Sequence, residues 1–367
     1  MGSDTIFDST NWPAVESPFW SVVIFVFGSI VGSFLNVVIH RLPRGESVVS
    51  PPSHCPYCKY SIPWWLNVPL FTWLYLRGKC KNCGAPISMR YFLVELLTAL
   101  AFLTAWQSFG TQSVGQALIY CLVLAGLLAA SFIDLEHLII PDELTIGGVI
   151  VGIFCSFLPA LHGQTTVTAS VAQGFLGAAV GGGLIYAILR AGKLMFGRQK
   201  VALPEGTKIV FSETNLCLPD RDIPYEELFY RRSDTIVLEA GLVETIDRGW
   251  REASIRLSQD KLLINEDQFA PETICHLEAV TDAVYLPREA MGLGDVKFMA
   301  AIGAFLGWHA VLFSLMVSSV IGSLVGGGLV LVGRKDWSSR LPYGPYIAAA
   351  AVLWMFFGQA TEAWLFR

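Results

Sequence analysis

Seven runs of mainly apolar residues, each close to bilayer length, constrain this chain more than any other feature. They occupy 18–39, 91–107, 114–133, 144–161, 170–190, 309–333 and 343–364. A run of about 20 such residues crosses the roughly 30 Å hydrocarbon layer as a helix, the form in which a single segment pairs all its backbone polar groups without water. An eighth run, 296–307, would rise only about 18 Å as a helix, and crosses only with tilt, thinning or neighbours. Composition points the same way. With 53% of 367 residues hydrophobic and 15% charged, the chain is too oily for an ordinary soluble domain.

Charge decides whether the short run crosses. If all eight cross, the loops at 40–90, 134–143, 191–295 and 334–342 share one face. With their helix ends they then carry 24 of the 25 Lys and Arg, leaving Arg367 opposite. Such a bias marks the cytoplasmic face. Were 296–307 not to cross, Arg334, Lys335 and Arg340 would be stranded on the far side. The sequence therefore predicts a mainly α, polytopic membrane protein of about eight transmembrane helices, both termini facing away from the cytoplasm. The first twenty residues hold no Lys or Arg, so the first run is expected to be a retained span and not a cleaved signal peptide. No nucleic-acid partner is expected.

A polar island interrupts the apolar pattern at 198–290. It carries 11 Lys and Arg against 18 Asp and Glu, a net of −7. Thr207-Lys208-Ile209-Val210-Phe211, Thr235-Ile236-Val237-Leu238 and Ser254-Ile255-Arg256-Leu257 are short, often alternating segments. They predict strands, and hence a small β-rich cytoplasmic insertion; a disordered linker is the alternative. Gly181-Gly182-Gly183 and Gly326-Gly327-Gly328 lie inside apolar runs, where close helix packing is expected ahead of phosphate binding.

Cys55-Pro56-Tyr57-Cys58 is followed after 21 residues by Cys80-Lys81-Asn82-Cys83. Each pair can offer two thiolates to one ion, and two pairs complete a tetrahedral sulfur set suited to one structural zinc. Disulfides are the competing reading, which a cytoplasmic loop disfavours. Cys121 and Cys155 lie in apolar runs as small core residues, and Cys217 and Cys275 carry no recognisable spacing.

Ionisable acids at a membrane boundary are expensive unless they have a task. Asp295 closes Gly292-Leu293-Gly294-Asp295 where the polar island meets an apolar run, with glycines that let backbone approach a bound peptide. Asp134 ends an earlier run, and Glu136, Asp142 and Glu143 compete with it. Asp142, just before an apolar helix, is more simply a helix N-cap or first-turn acid. Glu136 and Glu143 are expected at the solvated interface, and His137 is expected to be structural before it is a base. Two aspartates on one membrane face are the expected candidates for a proteolytic pair.

These residues resemble the bacterial type IV prepilin peptidases. The opening Gly32-Ser33-Phe34-Leu35-Asn36-Val37-Val38-Ile39-His40-Arg41-Leu42-Pro43, the two cysteine pairs, Asn67-Val68-Pro69, Leu76-Arg77-Gly78-Lys79-Cys80, and Ile87 to Thr98 all match. Asp134 with Ile140-Pro141-Asp142, and Gly292-Leu293-Gly294-Asp295-Val296-Lys297, resemble the two catalytic segments. Pro342-Tyr343-Gly344-Pro345 is similar to the turn before the last helix. Only 198–290 lies outside the likeness.

The resemblance implies an aspartic endopeptidase of the bacterial cytoplasmic membrane that removes basic leaders from prepilins or pseudopilins after a glycine, with its site at the cytoplasmic face. Asp134 and Asp295 would be catalytic, with Gly292, Gly294, Lys297 and Asp142 supporting the turn. It also implies methylation of the new N-terminus from S-adenosylmethionine, for which no independent cofactor motif is present. Asn36, Asn67, Arg77, Arg90 and Glu95 are the candidate polar contacts. The expected domains are 1–107 with the zinc loop 40–90 and the methyltransferase region, 108–197 as the first peptidase part, 198–290 as the insertion, and 291–367 as the second peptidase part. Two other classes stand beside this one: a Gly-x-Gly-Asp protease that cuts within a helix, and a non-enzymatic zinc-containing scaffold of a pilus or secretion machine.

Overall fold

The computed structural model describes residues 16–162, 166–229, 234–245, 247–271, 276–287, 292–333 and 341–365. Cys275, Arg334, Lys335, Arg340 and Arg367 lie outside them. The chain divides into two compact units, Met1–Tyr186 with Gly292–Arg367, and Ala187–Met291.

The first unit is helical. Helices α1 (Pro18–Arg41), α3 (Met89–Phe109) and α4 (Val114–His137) each begin at a serine, Ser17, Ser88 and Ser113. Each hydroxyl accepts a first-turn backbone N–H, the ordinary way to satisfy an orphan donor. Short α2 (Phe71–Tyr75) lies in the loop before α3. Then come α5 (Asp142–Cys155), α6 (Val167–Phe196), α8 (Leu293–Leu331) and α9 (Gly344–Leu365).

Small residues set the packing. A Cβ on Gly28 would lie 2.8 Å from Ala99 Cα, and one on Gly32 2.7 Å from Glu95 Cα, so a Gly-x-x-x-Gly face brings α1 against α3. On the other face of α1, Phe19, Val22, Val26, Phe27, Ile30 and Phe34 are exposed at helical spacing, a stripe suited to lipid. Gly177 and Gly181 repeat the device between α6 and α8: an added Cβ would meet the Gly303 and Met299 carbonyls at 2.0 and 2.3 Å. Gly181 thus packs as expected, whereas Gly183, Gly327 and Gly328 have open space beside them.

Among the described residues, five helices are long and apolar enough to cross a membrane: Pro18–Arg44, Met89–Phe109, Val114–His137, Val167–Lys193 and Leu293–Leu331. The sequence predicted about eight. The run at 144–161 forms only the 14-residue α5, after which Ser156 turns its hydroxyl back onto the Gly152 carbonyl and Pro159 opens a 3-10 turn. The runs at 296–307 and 309–333 join as α8, broken at Gly307, whose φ of 81° is cheap only for glycine.

The second unit holds an antiparallel sheet of eight strands: β1 (Arg198–Phe211), β2 (Asn215–Cys217), β3 (Asp222–Pro224), β4 (Thr235–Thr245), β5 (Gly249–Ser258), β6 (Leu262–Ile264), β7 (Asp267–Phe269) and β8 (Leu277–Pro287). Their order is β3-β2-β1-β8-β4-β5-β6-β7. Helical α7 (Tyr225–Leu228) follows β3. Alternate residues such as Ile209, Ile236, Leu238, Ile255 and Val284 are fully buried, so one face makes a core. All three predicted segments fall in strands, inside β1, β4 and β5. β1 and β8 pair along their length, with an irregularity between Ala202 and Thr207.

Candidate active site and metal centre

α4 ends at His137, and Leu138 turns the chain in the left-handed region while its N–H bonds the Asp134 carbonyl. That turn delivers Ile140 and Pro141 to the start of α5. Asp134 is 5% exposed, and its Oδ2 accepts the Gly344 N–H at 2.7 Å. Gly344 opens α9, so this donor is one the helix cannot satisfy itself, and the helix's positive end faces the carboxylate.

Asp295 sits in the first turn of α8 and is 9% exposed; its Oδ2 accepts the Gly292 N–H at 3.3 Å. Each aspartate thus rests on a glycine N–H at a helix start, and Ile140 bridges the two places. A Cβ on Gly294 would lie 3.4 Å from Ile140 Cβ, and one on Gly344 would lie 3.2 Å from Ile140 Cδ1. The glycines here take no positive φ; Gly294 leaves room for Ile140.

Asp142 is a first-turn acid of α5, one of the two places expected of it; the N-cap is Pro141, and Asp142 makes an ion pair with Lys297 Nζ at 2.6 Å. That pair ties the first turn of α5 to that of α8. Glu136 likewise is not simply solvated: it pairs with Arg90 at the start of α3. Glu143 is exposed, and His137 Nε2 is buried with no hydrogen-bond partner. Gly344 was missed as a site residue, since the proline-glycine turn was read only as a family likeness.

The four cysteines Cys55, Cys58, Cys80 and Cys83 gather with all Sγ atoms within 4.8 Å of one another. Sγ–Sγ separations of 3.8 Å for Cys55–Cys83 and 4.0 Å for Cys58–Cys80 match the edge of about 3.8 Å of a tetrahedron with 2.3 Å metal–sulfur bonds. The two knuckles are near copies. In each, the first cysteine's carbonyl accepts an N–H four residues on, from Lys59 and Gly84, and both of those residues have positive φ. The Tyr60 N–H and then the Asn82 amide hold the Cys58 thiol down to about 6, and the Cys83 and Asn82 N–H groups lower Cys80. Cys83, despite the Ala85 N–H, is pushed up to about 11 by desolvation and the neighbouring thiols, so Cys58 and Cys80 are the readiest thiolates of the four a metal needs. Of the other cysteines, Cys121 is buried, while Cys155 and Cys217 are half-buried.

A cavity of about 890 Å³ lies between α1, α3 and the cysteine loop. Asn36, Asn67 and Glu95 line it together; Arg77 and Arg90 do not. Arg77 lies in the turn after α2 at φ 51°, and Arg90 is held by Glu136.

Comparison with known proteins places this geometry. Residues 26–109 match the family described as Bacterial Peptidase A24 N-terminal domain, and residues 121–206 and 273–327 match the Type IV leader peptidase family. A Prepilin leader peptidase/N-methyltransferase of Myxococcus xanthus (strain DK1622) is 44% identical over 168 residues, which span 46% of this chain and about half, 49%, of that protein. A protein of the same name from Aeromonas hydrophila is 28% identical over 371 residues, 93% of this chain and 92% of that one. A "Type 4 prepilin-like proteins leader peptide-processing enzyme" of Escherichia coli O78:H11 (strain H10407 / ETEC) is 44% identical over 154 residues, 37% of this chain and 56% of that one. No solved structure gives a significant match.

Proposed function

This chain belongs to the type IV leader peptidase family, and from that premise we propose a membrane aspartic endopeptidase that removes the basic leader of a prepilin or pseudopilin after a glycine and then methylates the new N-terminus. The observation that carries the proteolytic assignment is the meeting of the Asp134 and Asp295 turns around Ile140, each carboxylate held on a glycine N–H. Two such carboxylates cannot easily both be charged, so the pair works with one ionised and one protonated. The ionised aspartate draws a proton from a water as that water attacks the scissile carbonyl. The protonated one donates a hydrogen bond to the carbonyl oxygen, and the proton taken from water leaves with the departing amine. Gly292 and Gly294 shape the turn, and Lys297 with Asp142 holds α8 to α5.

The chain lies in the cytoplasmic membrane through eight spans. α5, rising about 21 Å, and the two halves of α8 cross beside longer neighbours. The arrangement keeps the loops bearing 24 of the 25 Lys and Arg on the cytoplasmic face. Both aspartates then sit where a leader meets the bilayer. The tetra-cysteine cluster holds one structural zinc, all four positions filled by protein sulfur. S-adenosylmethionine supplies the methyl group, and the N-terminal region 1–107 provides its site. Incubating the purified protein with a prepilin and labelled S-adenosylmethionine, then sequencing the product's N-terminus, tests both activities. An intact leader would end the proteolytic assignment, and an unlabelled cleaved product the methyltransferase one.

A further inference from the structure

The cavity beneath the cysteine loop has a floor built of hydrogen-bond acceptors. Asn36 is 2% exposed; its Nδ2 donates to the Gly32 and Tyr91 carbonyls, which fixes the amide and leaves Oδ1 buried with no hydrogen-bond partner. Thr72 Oγ1 is likewise buried without a partner. Glu95, 8% exposed, accepts the Leu70 N–H at 2.7 Å and the Ser33 hydroxyl. All four side chains line the same cavity. Buried polar atoms without partners are costly and rare, and a carboxylate beside them makes the floor one that wants positive charge.

The basic groups that also line the cavity leave this floor unneutralised. The Arg41 guanidinium is turned onto the Ser47 and Pro51 carbonyls, while Lys59 and Lys81 are exposed. His40 shares its imidazole with Arg44. The walls are apolar where Phe34 and Trp73 lie. The volume falls in the range of about 300–1,000 Å³ that takes small organic ligands.

We propose that this cavity is the methyl-donor site, and that Glu95, Asn36 and Thr72 form its cation-holding floor, bonding the ammonium and facing the sulfonium of S-adenosylmethionine. The inference rests on the methyltransferase activity proposed above. It implies selectivity: S-adenosylhomocysteine, the same molecule without the sulfonium charge, is held less well by the same floor.

Titration calorimetry of the full-length protein in detergent with each ligand tests this directly. The wild type binds S-adenosylmethionine more tightly than S-adenosylhomocysteine. Glu95→Gln, which keeps the shape and removes the charge, weakens S-adenosylmethionine on the order of tenfold or more and S-adenosylhomocysteine by much less. Thr72→Val, nearly isosteric, shifts both constants in the same direction by a smaller factor. The thermal unfolding midpoint checks that each variant is folded, and Thr72→Val decides if Glu95→Gln is not. Wild-type constants in the folded variants, or equal losses for both ligands in Glu95→Gln, overturn the assignment. If the wild type methylates a cleaved pilin while the variants bind normally, the activity stands and only this cavity is wrong. If the wild type neither binds the donor nor methylates, the activity itself falls.

Discussion

At the scale of single residues, the acids were legible because a carboxylate at a membrane boundary must earn its desolvation cost. Asp134→Asn and Asp295→Asn should each abolish leader cleavage, since Asn keeps the shape and can neither take nor hold the proton; a gel-shift assay on one prepilin checks this. Cleavage should also follow a bell-shaped pH profile. Its acid limb reports loss of the single negative charge the pair needs, and its basic limb loss of the single proton. Gly344 was not legible in this role, because its part depends on a contact between residues 210 apart in sequence. A Cβ there would lie 2.9 Å from Asp134 Oδ2, so Gly344→Ala should displace the carboxylate and lower kcat by about tenfold or more without unfolding the protein. Asp142→Asn is the control, for a reason the sequence did not supply. It caps nothing, and its pair with Lys297 is open to water, with the two side chains 58% and 36% exposed. Losing that pair should cost no more than about 1 kcal/mol and leave substantial cleavage. A dead Asp142→Asn beside an active Asp134→Asn would move the catalytic role to Asp142.

At the scale of elements, the cysteine knuckles were readable because each is local: two thiols three residues apart, in a turn closed by its own backbone. The helix lengths were less so. Apolar runs mark what lipid or protein can bury, yet they do not say that α5 stops at Cys155 or that Gly307 breaks α8 while leaving its halves in line of sequence. The insertion's strands were visible in their alternation, but their order was not, since pairing β1 with β8 joins the two ends of the segment. The knuckles make a quantitative prediction. Lys59 and Gly84 occupy equivalent left-handed positions, at φ 57° and 73°, where a side chain costs roughly 1–2 kcal/mol. Gly84→Val should therefore loosen the loop and Lys59→Gly should be tolerated or mildly stabilising, read from the chelator concentration that strips the metal. Elemental analysis should find about one zinc per chain, and Cys58→Ser or Cys80→Ser should lose it and unfold the loop before the membrane helices.

At the scale of the whole molecule, the question is what an acidic sheet contributes to a membrane protease. Among the described residues the four carboxylate and glycine anchors of the peptidase site, Asp134, Asp295, Gly292 and Gly344, all belong to the first unit, so the sheet is not needed to assemble them. Its geometry makes removal simple. Gln199 pairs with Leu286 and Lys200 with Tyr285 on neighbouring antiparallel strands, and residues so paired lie only about 5 Å apart. Excising 200–286 and closing the gap with a short flexible linker therefore spans no more than a tight turn does. The excised segment carries 9 Lys and Arg against 17 Asp and Glu, a net charge of −8, opposite in sign to a basic leader, and charge at that scale acts on encounter rates more than on chemistry. The deletion should leave kcat for leader cleavage close to the intact value while KM rises at low salt, and the difference should fade as salt screens the field. A raised KM that salt does not alter would point to a direct docking contact in place of steering. Complete loss of cleavage, in a deletion variant that keeps its zinc and its thermal midpoint, would show that the sheet helps to build the active site after all.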